Sequence, residues 1–403
     1  MTGAELHITV LHLDEQRGLR GGERQAGWLM AWQVRMGHQV YAAGRPGAPF
    51  LSNQVGGPGI SRIPLSLRAE WDLLSARQIA VLCRREGIHI IHAHTSHAHG
   101  IALWAAAMCA RSRRPRVVVS RRIDFVPRPH RFNRWKYSRP DAILCVSGKV
   151  YETLREWGCD PSRLWVVHSA VDEDRLDVAP LSRNALGAPE EGPLIVTAGA
   201  LEPHKDHAAL LEAFARISPM FPGACLVIAG DGSLRAELEG RARVLGVAQA
   251  VRFLGFRPDA PAVIAAGDVY VSSSWSEGLG TSILEAMGLG VPVVAARAGG
   301  AEEMIMPGLT GWLVPSRDSA ALAKALWECL ADRGEAFRRA SRAQRLARGY
   351  YASRRMAAHT LAAYARVLGF PVAGADPDPC PDPFVWLEQH GMDGESAHRA
   401  GNV

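Results

Sequence analysis

Short β-branched runs ending in Gly, Ser or His alternate with amphipathic stretches along nearly the whole 403-residue chain. Each run is too short for a helix, and each intervening stretch is long enough for a crossover helix, so the strands are expected to pair in parallel. The first series covers residues 6–13, 39–43, 89–93, 116–120, 142–146 and 164–168; the second covers 194–198, 225–229, 251–254, 269–272, 291–295 and 311–314. Two series predict an α/β protein with two doubly wound parallel sheets. Between them, residues 171–193 are rich in Pro, Gly and acids and lack apolar periodicity, which suits a linker. The expected limits are a first domain at 1–178, a linker at 179–192, a second domain at 193–350 and a helix at 351–368 crossing back to the first. A Pro-, Gly- and Asp-rich tail at 369–403 is expected to be poorly ordered.

Composition narrows the class. With 48% hydrophobic and 21% charged residues the chain is an ordinary globular protein. No run approaches the ~20 apolar residues of a spanning helix, and the start MTGAELHITVLHLD is not a signal peptide, so a cytoplasmic protein is expected. Its seven cysteines are scattered without a CxxC pair, as expected of reduced thiols rather than a disulfide framework or zinc ribbon. Residues 1–172 carry 24 Lys and Arg against 13 Asp and Glu, and residues 111–139 alone hold eleven basic side chains against Asp124. That segment reads either as a solvated surface or as a face for an anionic partner: a membrane surface, a phosphorylated glycan or RNA.

Chemistry concentrates at strand ends. Residues 274–285 (SWSEGLGTSILE) run from a strand through a glycine-punctuated loop into a helix, so Gly278, Leu279, Gly280 and Thr281 can bring backbone amides to an anion such as a diphosphate. Glu277 and Glu285 flank this loop and can grip sugar or ribose hydroxyls; Ser282 with Glu285 also fits a capping box, a purely structural role. Gly199 opens a second strand-end loop that carries Lys205, one of four lysines, which can neutralise a departing diphosphate without a metal. Near the amino terminus Gly21 and Gly22 offer a further phosphate-facing loop. The run His92, His94, His97 and His99 invites a zinc-hydrolase reading, although Ser96 stands where that ligand spacing wants Asp; packing, or a metal-free site using His94, is the alternative. No GxGxxG follows the first strand, which counts against a dinucleotide dehydrogenase.

These landmarks together resemble family 4 of the retaining glycosyltransferases over residues 5–368. The resemblance rests on Glu277, seven residues, then Glu285, and on RGGE near the start, HAH after the third strand, Cys145-Val-Ser147, residues 199–205, AGDG at 229–232, FLG at 253–255 and AGG at 298–300. It implies the GT-B fold, two Rossmann-like domains facing a cleft, and transfer of a hexose-type sugar with retention from a nucleotide-sugar donor. UDP-sugar is expected from family frequency, and no metal or other cofactor. Glu285 would bind the donor ribose, Glu277 the sugar hydroxyls and Lys205 the diphosphate, assisted by the backbone at Gly280 and Thr281. Gly21 and Gly22 would close over the phosphates, and His94 would line the reaction centre. Ala200 stands where most members carry Arg, so half of the usual cationic clamp is missing; Arg121 and Arg122 could substitute. The acceptor is expected to be a glycan or lipid-linked sugar of envelope polysaccharide or lipopolysaccharide, met at the inner membrane face through Arg121, Arg122, Arg134 and Lys136. A nucleic-acid-binding protein is the remaining alternative.

Overall fold

The structure, a computed structural model, describes residues 6–376 and 382–391. It divides into two compact units. One runs to Ala170 and includes the segment beginning at Ser353; the other comprises Val171–Ala352 and the helix Pro383–Gly391.

The first unit is built on seven parallel strands: β1 (Thr9–Asp14), β2 (Gln39–Gly44), β3 (Ile60–Pro64), β4 (Ile90–Ala93), β5 (Arg116–Arg121), β6 (Ala142–Cys145) and β7 (Leu164–Val166), in the order β3-β2-β1-β4-β5-β6-β7. Alternation along each strand divides its side chains between two apolar layers. Val10, Ile90, Val118 and Leu144 face one layer with Met356, Leu361 and Tyr364 of the helix Ser353–Leu368. Leu11, Leu13, Ile91 and Val117 face the other, against Ile79, Ile101 and Ala102. Burial on both faces explains why the strands read as continuous apolar runs. β3 was not expected: five residues between a glycine turn and Pro64 give an edge strand too little alternation to register.

In the second unit six parallel strands, β8 (Leu194–Ala198), β9 (Cys225–Ala229), β10 (Val251–Gly255), β11 (Val269–Ser272), β12 (Val293–Ala296) and β13 (Trp312–Val314), run in the order β10-β9-β8-β11-β12-β13. The helices His207–Ile217 and Ser319–Ala331 cover one face, packing Leu210, Phe214, Leu322 and Leu326 on Ile195, Leu226, Val271 and Val294.

Two expectations about chain organisation change. The stretch read as a linker belongs to the second unit, which begins at Val171. Leu176 and Leu186 are buried within it, and Leu176 lies where any side chain at Gly288 would have to go. Two isolated apolar anchors suffice to dock a segment that has no apolar period. Part of the presumed tail is also built in: Leu6 bridges to Val372, which is buried, and Trp386 packs on Tyr350 and over Gly349. Residues 377–381 and 392–403 lie outside the described residues.

Candidate functional site

In an open parallel sheet, ligands bind beyond the carboxyl ends of the strands, where the strand order reverses. In the second unit that point lies between β8 and β11. The loops leaving β8, β9, β11 and β12 there carry Gly199, Gly230, residues 273–280 and Gly299. Glycine is required at two of these places. A Cβ at Gly230 would fall on the Gly199 carbonyl oxygen, and one at Gly299, whose φ is +52°, on that of Glu277.

The β8 loop positions Lys205 through its backbone. Ser273 Oγ donates to the Lys205 carbonyl at 2.8 Å and the Trp275 amide to that of His204 at 2.9 Å, stitching the β8 and β11 loops together. Lys205 Nζ then reaches Glu277 Oε1 in an ion pair, and Ser274 Oγ donates to the same carboxylate oxygen at 2.8 Å. An ammonium has three donors, so pairing with Glu277 leaves others for a ligand.

Glu285 sits on the helix Thr281–Gly288, capped by Gly280 at φ +95° with no side-chain cap. The capping-box reading therefore falls: the helix starts one residue before Ser282, and the Glu285 carboxylate is turned onto Arg175 Nε at 2.6 Å. Arg175 comes from the segment expected to be linker. Its Nη2 is buried without a partner among the described residues. Lys205, Glu277, Glu285 and the loop 278–281 are thus grouped on the carboxyl ends of β8 and β11, with Gly199 lying 3.8 Å, measured from a built Cβ, from Lys205 Nζ.

The first unit has its own polar cluster at its switch point, between β1 and β4. Parallel pairing sets His12 directly beside His92, and His94 follows the end of β4. Its hydrogen bonds run in one direction. Arginine only donates, so Arg122 Nη2, 3.3 Å from His94 Nδ1, makes that nitrogen an acceptor. Neutral His94 then carries its proton on Nε2 and donates to His12 Nδ1 at 2.9 Å, and His12 Nε2 donates to Gln33 Oε1 at 2.7 Å. Beside them His92 bonds Tyr364 Oη at 2.6 Å and Ser120 Oγ at 2.8 Å. Burial keeps all three rings neutral: His12 is pushed down to about 4, and His92 and His94 lie well below their ordinary range. The Arg122 guanidinium is itself lowered to about 10 by burial, with Glu23 and Asp14 pulling the other way. Burial, then Glu23, pushes the Asp14 carboxyl up to about 8.

The zinc reading needs correcting on this geometry. His97 is exposed, 3.7 Å from Glu15, and His99 lies edge-on to Tyr137, so neither joins His92 and His94. The trio whose nitrogens do approach within 4.8 Å is His12, His92 and His94. Two of its lone pairs already accept hydrogen bonds in the Arg122-to-Gln33 chain, and a guanidinium borders it, which does not suit a dication.

The basic residues named for an acceptor separate. Arg134 is exposed on the helix Arg131–Tyr137. Arg121 is engaged by the Tyr137 hydroxyl at 2.8 Å and the Phe125 carbonyl, and Arg122 lies against His94 and Gly22. Lys136 is not available on a surface: it is buried, paired with Glu70 at 3.0 Å and donating to Ser96 Oγ at 2.9 Å. Gly21 and Gly22 open the helix Gly21–Arg35, where Glu23 turns back to accept the Arg20 amide at 2.7 Å.

Comparison with known proteins agrees with this architecture. Residues 19–175 match the family "Glycosyltransferase Family 4", and residues 179–347 match "Glycosyl transferases group 1". The lipopolysaccharide core biosynthesis glycosyltransferase LpsE of Rhizobium meliloti is 32% identical over 196 residues, 49% of this chain and 56% of that protein. The putative glycosyltransferase EpsD of Bacillus subtilis is 27% identical over 73% of this chain and 80% of its own length. Among solved structures, Anabaena HepE in complex with UDP-glucose superposes with a TM-score of 0.75 at 22% identity, over 90% of this chain and all of that one. The fold is GT-B, as the motif resemblance implies.

Proposed function

We propose that this chain, which joins a glycosyltransferase family 4 domain to a group 1 glycosyl transferase domain, moves a hexose-type sugar from a UDP-sugar to a glycan or lipid-linked acceptor, with retention and without a metal. The observation that carries the reading is the grouping of Lys205, Glu277 and Glu285 around a glycine loop at the carboxyl ends of β8 and β11. The complex of HepE with UDP-glucose supports the choice of base.

In this mechanism the bond from the anomeric carbon to the diphosphate oxygen breaks as the acceptor oxygen approaches the same face, and the acceptor proton passes to the leaving phosphate. The step needs charge stabilisation on the diphosphate. Lys205 Nζ and the amides at Gly280 and Thr281 supply it, a contribution of ~3 to 4 kcal/mol per key donor in other enzymes. Glu277, held by Lys205 and Ser274, is a hydroxyl ligand rather than a nucleophile, and Glu285 takes the ribose. His94, neutral and held in one tautomer by His12 and Arg122, is the side chain of this cluster that lines the reaction centre in this reading.

The proposed setting is envelope polysaccharide or lipopolysaccharide assembly at the inner membrane face, in keeping with LpsE. No helix among the described residues is long and apolar enough to cross a membrane. Exposed Ile123, Phe125 and Val126 beside the exposed Arg128 give the basic segment an apolar edge suited to a peripheral lipid contact. The test is donor consumption across a panel of nucleotide sugars, with the product anomer read by NMR. Lys205→Ala and Glu285→Ala are each expected to abolish most turnover with the fold intact, and a chelator to leave it unchanged. Unaltered rates in both variants would overturn the assignment.

A further inference from the structure

The strands β3, β2 and β1 lie side by side at one edge of the first sheet, and the loop leaving the carboxyl end of each carries arginine: Arg17 and Arg20 after β1, Arg45 after β2, Arg68 after β3. A pocket of about 470 Å³ is lined by Arg17, Arg45 and Arg68 together with Ser66 and Gly47. A neighbouring one of about 360 Å³ shares Arg17 and Arg45 and adds Arg20. Three loops far apart in sequence therefore bring guanidinium groups to one place, and among the described residues none of these four arginines is ion-paired.

The pocket is built rather than incidental. Arg45 Nη2 donates to the Leu67 carbonyl at 3.0 Å, and Leu67, fully buried, holds the left-handed φ of +40° that places that carbonyl. Arg45 Nε is buried without a hydrogen-bond partner among the described residues. The one carboxylate lining the second pocket, Glu15, is committed elsewhere: it accepts from Thr95 Oγ1 and from the Ala98 amide at 3.3 Å, with His97 3.7 Å away. Guanidinium forks match planar or tetrahedral oxyanions.

We infer that this arginine pocket binds the anionic group, phosphate or carboxylate, of a sugar acceptor. The inference rests on the transferase reading above and places acceptor recognition away from the basic segment 111–139.

Ligand-observed NMR on the full chain at low salt tests it, with a hexose 6-phosphate, a hexuronate, the parent hexose and inorganic phosphate as probes. At least one anionic sugar is expected to bind in preference to both the hexose and inorganic phosphate, and which one binds identifies the anion. Arg17→Glu and Arg68→Glu change exposed side chains without intramolecular ion pairs, and each is expected to weaken that binding about tenfold, whereas Arg84→Ala on the exposed side of a helix leaves it unchanged. No preference for an anionic sugar, or affinities unmoved by both charge reversals, would overturn the inference. UDP is titrated into the same samples: failure to bind UDP would sink the donor reading and leave the sugar-anion result standing on its own.

Discussion

Acid should open the first unit before the second. In the first unit His12, His92, His94 and His99 are buried and neutral, the last pushed down to about 3 by burial and then Lys136. In the second, His207 is the corresponding group, lowered to about 4 by burial and then Lys205. A histidine depressed in the folded state takes up its proton more readily unfolded, so its stabilising effect is complete above the ordinary value near 6.5 and is lost as pH falls towards the folded value. For a drop from about 4 folded to 6.5 unfolded, acidifying from pH 7 to pH 5 costs about 2 kcal/mol per group. Asp14 works against this. Its folded value near 8 means the native state holds a proton that the unfolded chain releases, so it contributes about 2.5 kcal/mol in the opposite direction over the same interval. His12 and His99 already outweigh that one carboxyl, and His92, His94, His38 and His89 are shifted the same way, so acid takes more from the first unit than the roughly 2 kcal/mol that His207 takes from the second, against a typical total of about 5–15. Urea unfolding at pH 7 and pH 5, followed by peptide-resolved hydrogen exchange corrected to a common intrinsic rate, assigns each transition to its unit. Equal losses in the two units, or an earlier loss in the second, would refute the burial argument.

Three further perturbations probe the two clusters. Tyr364→Phe preserves the packing of the helix Ser353–Leu368 but leaves His92 Nδ1 unpaired, so it should lower the urea stability of the first unit by about 1–3 kcal/mol; no change would mean the hydroxyl is dispensable. Arg175→Ala should destabilise the second unit by about 1–2 kcal/mol after allowing for solvent at this partly exposed pair, and adding Glu285→Gln should restore part of the melting temperature, since the stranded charge is gone. Gly299→Ala, with a Cβ driven onto the Glu277 carbonyl, should cost about 3 kcal/mol in thermal unfolding and weaken UDP titration together; wild-type values would show that the loop yields freely.

What the sequence made legible, and what it hid, has a physical pattern. Gly199, Lys205, Glu277, Glu285 and Gly280 were readable because each sits a fixed few residues beyond an apolar run, where a parallel sheet ends its strands and needs glycine. Arg175 was hidden because its segment has no period: two anchors, Leu176 and Leu186, dock it, and its partner Glu285 is 110 residues away. The basic segment misled in the other direction. Lys136 reads as one cation among eleven, yet it lies between Trp135, stacked on Trp104 at 4.8 Å, and buried Tyr137, and a cation flanked by aromatics that face inward must itself be paired inside.

His12 carries the most general lesson. Eighty residues separate it from His92, and only the β1–β4 register joins them. A signal was nevertheless present, because His12 interrupts an otherwise apolar strand in a series whose length and continuity already imply burial on both faces. A polar side chain in such a strand cannot reach water and must find its partner on the neighbouring strand or the covering helix. Here those partners are His94 and Gln33, and His92 finds Tyr364 and Ser120 by the same necessity. Two interrupted apolar strands that flank the point where sheet order reverses therefore define a polar cluster from sequence and topology alone. The cost of burying it is what should make the first unit yield first to acid.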